Sequence, residues 1–241
     1  MPLEGWDFSW FEGRATEQRP SWGYARLVAE RLASADAALD VQTGGGEVFA
    51  YAASVAARRP RLLAAVECWP PNVAVAARTL RPYGGVVVAA ADAPELPFRD
   101  GAFDLVVSRH PVRTWWDETA RVLGPGGVFL SQQIGAGSNR ELSEAMMGLL
   151  PPPTRQHPEQ IAAAAEAAGF EVLRVRAESL RAEFYDIAAI AHFLRKVIWT
   201  VPDFTIGKYR DRLRALHEEI TVKGMFVSYA KRVLIEARRC R

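Results

Sequence analysis

Five acidic or imidazole side chains and one run of three glycines carry the chemistry legible in this chain. Asp40 closes a short apolar run, Gln42 and Thr43 follow it, Gly44, Gly45 and Gly46 make a turn, and Glu47 opens the helical pattern V-F-A-Y-A-A-S-V-A-A. Glycines let the backbone turn sharply and approach a ligand closely, because without a Cβ they reach dihedrals closed to other residues. A second apolar run, Leu62 to Val66, ends at Glu67, about twenty residues past the last glycine, the spacing at which a carboxylate takes the two hydroxyls of a ribose. Asp92 and His110 follow the next two apolar runs. A dinucleotide site needs G-x-G-x-x-G and a helix N-terminus aimed at a pyrophosphate. The string D-x-Q-x-G-G-G, with carboxylates on both flanks, would repel a diphosphate and suits a ligand bearing an ammonium and a sulfonium.

The elements that must position these groups alternate between strand and helix. A helix opens at Pro20 or Ser21 and runs to about Ala33, with Tyr24, Leu27, Val28 and Leu32 at helical spacing. Strands are expected at Ala37 to Val41, Leu62 to Glu67, Val86 to Ala90, Asp104 to Ser108, Val128 to Ile134, Phe170 to Glu178 and Phe226 to Glu236. Pro70 and Pro71 fit only the first turn of the helix that follows the second strand. Cys68 and Trp69 therefore fall at that strand's carboxyl end, the rim where open parallel sheets bind ligands. Further helices are expected from about Val112 to Leu123, Ser138 to Leu150, Pro158 to Gly169, Tyr185 to Thr200 and Ile206 to Ile220. Gln132 and Gln133 end the fifth strand, and alternation sends only one of them to any given face.

Composition narrows the class further. At 241 residues the chain fits one large α/β domain with additions. Net charge is +2 and hydrophobic content 49%, ordinary for a globular protein, and arginines are interleaved with acids, so no basic stripe signals nucleic acid. Cys68 and Cys240 fit neither a disulfide framework nor a zinc site, which points to a reducing cytoplasm and no metal. The N-terminal M-P-L-E-G-W-D-F-S-W-F-E-G lacks the basic start and apolar core of a signal peptide. No uncharged apolar run reaches about 18 residues, so no membrane span is expected.

From Asp40 to Glu47 the chain resembles motif I of the class I S-adenosylmethionine-dependent methyltransferases. The string A-D-A-x-x-L-P-F-x-D-x-x-F-D-L-V, from Ala91 to Val106, and R-V-L-x-P-G-G, from Arg121 to Gly127, resemble the type 11 family of small methyltransferases. That resemblance implies a Rossmann-like α/β fold: a seven-stranded, mostly parallel sheet with helices on both faces and a helical insert between strands six and seven. It also implies a single methyltransferase domain over 1–241. Residues 1–34 would be an N-terminal arm and helix, a possible lid, and 35–135 the cofactor core. Residues 136–225 would supply the substrate-side helices and strand six, and 226–241 the last strand.

The cofactor implied is S-adenosyl-L-methionine, leaving as S-adenosyl-L-homocysteine. Its candidate ligands are Asp40, Gln42, Thr43, Gly44, Gly46, Glu47, Glu67, Cys68, Trp69, Asp92, Ala93 and Ser108. In the resembling family the acid at Asp92 receives the adenine amino group, Ala93 offers its backbone N–H, and Trp69 is placed to lie against the adenine face. His110, at the strand end that faces the sulfonium methyl, is the candidate general base. His192, Phe193, Trp199 and Phe204 are candidates to roof an acceptor pocket. The expected partner is a small-molecule acceptor, with the protein a monomer or homodimer. Gln42 stands where the family has glycine, which keeps open a noncatalytic binding protein of the same fold; a methyltransferase acting on RNA is the other alternative.

Overall fold

Runs of aliphatic residues bounded by glycine and proline set the strands, as they must when both faces of a strand are covered and no polar alternation is needed. The computed structural model describes residues 8–90 and 94–240. After a 3-10 turn at Ser9–Phe11 come β1 (Ala15–Glu17), α1 (Tyr24–Ser34), β2 (Ala37–Val41), α2 (Glu47–Val55), β3 (Leu62–Glu67) and α3 (Pro70–Leu80). Then follow β4 (Val86–Ala89), β5 (Phe103–Arg109), α4 (Trp116–Val122), β6 (Leu123–Ile134), α5 (Arg140–Met147) and α6 (Pro158–Ala167). The chain ends with β7 (Phe170–Phe184), α7 (Ile187–Lys196), α8 (Arg210–Lys223) and β8 (Phe226–Arg239). Strand order in the sheet is β1-β7-β8-β6-β5-β2-β3-β4.

Two compact units make up the chain, and β7 and β8 each contribute to both. The first comprises residues 21–134, 156–177 and 233–241. Within it β2 pairs in parallel with β3 and β5, β3 with β4, and β5 with β6. Alternation sends Ala38, Leu63, Ala65, Leu105, Val107 and Leu130 to one face, where they pack with Val28 and Leu32 of α1, Phe49 and Ala53 of α2, and Leu80 of α3. Leu39, Val41, Ala64, Val66, Val106 and Phe129 take the other face, against Val122 of α4 and Ile161 and Ala165 of α6. Each fully buried Leu or Phe contributes about 1.5–3 kcal/mol to holding these layers together.

The second unit comprises residues 1–20, 135–155 and 178–232. Its core gathers Phe11, Leu142, Met146, Phe184, Ile190, Leu194, Leu213, Leu216 and Ile220. The apolar spacing of three and four read along α7 and α8 is the face each helix gives to this core. Among the described residues no helix is long and apolar enough to cross a membrane.

The sheet has eight strands rather than seven. The added one is β1, which pairs antiparallel with β7 through Ala15↔Phe184, Thr16↔Glu183 and Glu17↔Ala182. Three half-buried or exposed residues joined by backbone hydrogen bonds leave no apolar alternation to read in the sequence. Several boundaries also moved, among them those of β7 and α4. β7 continues past Glu178 because Leu180, Ala182 and Phe184 alternate inward. α4 starts at Trp116 rather than Val112, since Gln42 binds the backbone of residues 112 and 113 in a non-helical path.

Candidate active site

Period-two alternation gathers the polar strand ends. Asp40 on β2, Glu67 on β3, Arg109 on β5 and Gln132 on β6 have the parity of the residues packed against α1 to α3, so all four lie on that face at the sheet's carboxyl edge. Arg109 is exposed; the other three are buried.

The glycine turn is held shut by Glu67. Its Oε1 accepts from the backbone N–H of Cys68 at 2.8 Å and of Trp69 at 3.0 Å, and its Oε2 accepts from Gly44 N at 2.7 Å. A carboxylate has about four acceptor directions, so this arrangement leaves one, on Oε2, and fixes where it points. Gly44 and Gly46 take φ of 63° and 78°, which glycine alone reaches without strain. A Cβ at Gly45 would collide with the Glu47 carboxylate, so Glu47 closes over the turn from its other side.

Asp40 lies beneath the turn, its Oδ2 accepting from Thr43 Oγ1 at 2.6 Å. Burial, then the neighbouring Glu67 charge, push its carboxyl up to about 7; the Thr43 hydrogen bond and the Arg109 charge pull the other way without cancelling them. The same burial, with Asp40 nearby, raises the Tyr24 phenol well above its ordinary value. A carboxyl poised near neutrality at a rim of sheet suits a cation that arrives and leaves.

Gln42 has φ 59°, a left-handed conformation that costs a non-glycine residue about 1 kcal/mol or more. Its side-chain amide explains why it stays there: Nε2 donates to Arg113 O at 2.7 Å and Oε1 accepts from Val112 N at 2.7 Å. A glycine would relieve the strain but release this loop. Stability is therefore expected to fall in the order wild type, Gln42→Gly, Gln42→Ala, because alanine loses both bonds and keeps the strain. Alanine should cost about 2–3 kcal/mol in urea unfolding; an alanine variant as stable as the glycine one would show that the strain is not real.

His110, at φ 55°, is tied to β6 twice. Its N–H donates to Gln132 O at 2.7 Å, and its Nε2 lies 2.8 Å from Gln132 Nε2. Trp22 Nε1 donates to Gln132 Oε1 at 2.7 Å. An indole N–H is only a donor, so it fixes the Gln132 amide with its NH₂ toward His110, whose Nε2 must accept and whose proton sits on Nδ1. Proton removal through Nε2 requires Gln132 to let go first. Trp22→Phe should free the amide to turn over, costing about 1–2 kcal/mol of stability and giving a mixture of His110 tautomers in ring-nitrogen NMR. A single unchanged tautomer in that variant would refute the relay.

Trp22 is the residue that reading the sequence missed. Its one signal was an indole just ahead of a helix whose first turn carries Tyr24. Ser108 donates its hydroxyl to Val41 O at 2.7 Å, joining β5 to β2. Gln132 and Gln133 separate as alternation requires, Gln133 donating to Thr114 Oγ1 at 3.1 Å. Cys68 and Trp69 are exposed at the rim. Asp92 and Ala93 lie outside the described residues. The segment that follows them is pinned by Arg121, which donates to Leu96 O at 2.9 Å and Phe98 O at 2.7 Å while pairing with Glu118 and Asp100.

Residues 39–131 match the family model described as "Methyltransferase domain". Over that stretch the chain is similar to a methyltransferase domain. The match begins inside β2 and ends inside β6, so it spans the glycine turn, Glu67 and His110. A curated malonyl-[acyl-carrier protein] O-methyltransferase of Marinomonas sp. (strain MWYL1) is 29% identical over 150 residues, 56% of this chain and 54% of the relative. The chain thus spans about half the length of that curated relative. Among solved structures, a functionally unknown protein from Deinococcus radiodurans R1 superposes with TM-score 0.63 at 18% identity, covering 93% of this chain and 90% of that one. A phosphoethanolamine N-methyltransferase of Haemonchus contortus, solved with phosphomonomethylethanolamine and S-adenosylhomocysteine, gives TM-score 0.55 at 17% identity over 91% of this chain and 53% of that one. At such identities the likeness shows the methyltransferase fold alone.

Proposed function

We propose that this protein is an S-adenosylmethionine-dependent methyltransferase of a small-molecule acceptor. The observation that supports this best is Glu67. A buried carboxylate whose orientation is set by three backbone amides, with one acceptor direction left over, matches a ribose hydroxyl. Asp40 and Glu47 place negative charge on both sides of the bare turn, which fits an ammonium-bearing chain. Thr43 orients Asp40, and Trp69 offers a flat exposed ring beside Glu67.

When bound, the cofactor supplies a methyl group on a sulfonium, already a good leaving group. The protein's own task is then to hold, align and exclude water. Gln42 contributes by fixing residues 112 and 113, and the Trp22–Gln132 pair by fixing the His110 ring. The names of the Marinomonas relative and the Haemonchus ligands support a small acceptor, and two exposed cysteines fit the reducing cytoplasm expected from the sequence. Calorimetry with S-adenosylmethionine and S-adenosylhomocysteine tests the reading: saturable binding of both, unaffected by RNA, is expected. No binding of either would leave a fold kept for some other purpose.

A further inference from the structure

Exposed apolar side chains are ordinary on a protein surface when they stand singly. In the second unit three stand on one short loop. Ile198 is 60% exposed, Trp199 53% and Ile206 52%, and all three belong to residues 197–209, which join α7 to α8. The two helices pack against each other, so this loop is the tip of a helical hairpin.

The tip has a fixed shape. Val201 and Tyr209 turn into the core of the unit, Phe204 stacks on Tyr209 at 5.8 Å, and Tyr209 donates its hydroxyl to Asp203 Oδ1 at 2.6 Å. Backbone turns, Thr200 N to Val197 O at 3.0 Å and Phe204 N to Val201 O at 3.0 Å, close the chain around them. Of the residues considered for a pocket roof, His192 is buried, Phe193 and Phe204 pack on this core, and Trp199 turns outward. Ser143 of α5 donates to Thr200 O at 3.0 Å, and Met147, one turn further along that helix face, is exposed as well.

Charge decides what would cover this patch. Between residues 195 and 214 the chain carries six lysines and arginines against two aspartates. Arg195, Lys208, Arg210, Arg212 and Arg214 are exposed, and Asp203, the acid of the loop, is paired with Lys208. A second copy of the chain in a two-fold contact would set this positive patch against itself. A bilayer with anionic lipids complements it throughout: an indole sits at headgroup depth, aliphatic side chains reach the acyl boundary, and cations meet lipid phosphates. We propose that the loop joining α7 and α8 docks on the surface of an anionic lipid bilayer. The contact is peripheral and uses the tip of the hairpin only.

The test co-sediments the full chain, without cofactor, with vesicles of phosphatidylcholine alone or with a quarter of phosphatidylglycerol. Binding to the mixed vesicles should be at least tenfold tighter than to phosphatidylcholine and should weaken at about 1 M salt, where screening reaches about 3 Å. Ile198→Ser combined with Ile206→Ser should weaken it at least tenfold with the melting temperature unchanged, since both side chains are exposed. Val222→Ser, on an equally exposed residue near the far end of α8, should change nothing. No sedimentation with mixed vesicles, equal sedimentation with phosphatidylcholine alone, or wild-type affinity in the double variant would each overturn the assignment. So would a wild-type dimer that the double variant abolishes, because the patch would then be a contact between copies. As no cofactor is present, failure of the methyltransferase reading leaves this result standing.

Discussion

Glu67→Gln should bind S-adenosylhomocysteine at least tenfold, and up to about a hundredfold, more weakly than the wild type. The substitution keeps the side chain's shape, so the loss isolates its hydrogen bonding. An amide can still offer one oxygen to Cys68 N and Trp69 N, but its NH₂ would then face Gly44 N, donor against donor, where the carboxylate now accepts at 2.7 Å. The free acceptor direction on Oε2 disappears with it. Hydrogen bonds to a charged group are worth about 1.5–3 kcal/mol, which is the stated range of affinity at about 1.4 kcal/mol per tenfold. The apo variant should also melt lower, because the glycine turn loses its tie to β3. Calorimetry on both proteins decides the matter. Wild-type affinity in Glu67→Gln would mean that this carboxylate staples a turn and reads no ribose.

The cofactor half of the fold was the legible half, for a reason visible in its strands. β2 and β3 are aliphatic runs with covered faces, stopped by glycine and proline, and they occupy the residues expected, Ala37–Val41 and Leu62–Glu67. Backbone-only features left no trace: β1 has no apolar alternation, and the left-handed turns at Gln42 and His110 fall on side chains that seldom adopt them. The site divides the same way. Acids at strand ends could be placed by alternation alone, as Asp40 and Glu67 were. Trp22 could not, since its value comes from Gln132, 110 residues away in sequence. Nor could spacing show that the His110 lone pair is already engaged, because that depends on which way an amide turns.

Affinity for S-adenosylmethionine should rise with pH between about 6 and 7 and level off near 8. The cause is Asp40, whose carboxyl is raised from 3.8 to about 7 in the free protein, chiefly by burial. Between those values the unfolded chain is ionised there while the folded chain keeps the proton. The folded state therefore binds more protons, and stability contributed by this group falls as pH climbs from about 4 to 7, on the order of 4 kcal/mol in all. A ligand ammonium set beside Asp40 reverses the preference and draws its pKa back down, so binding at pH 7 must expel close to half a proton. Affinity then gains at most tenfold per pH unit until Asp40 is ionised in the free protein as well. Asp40→Asn removes the proton exchange and the buried charge together. It should bind the cofactor weakly with a flat profile, yet unfold at higher urea than the wild type at pH 8. Calorimetry in two buffers of different ionisation enthalpy reads the proton directly. A flat wild-type profile without proton release would place the ammonium elsewhere and leave Asp40 as a partner of Thr43 only.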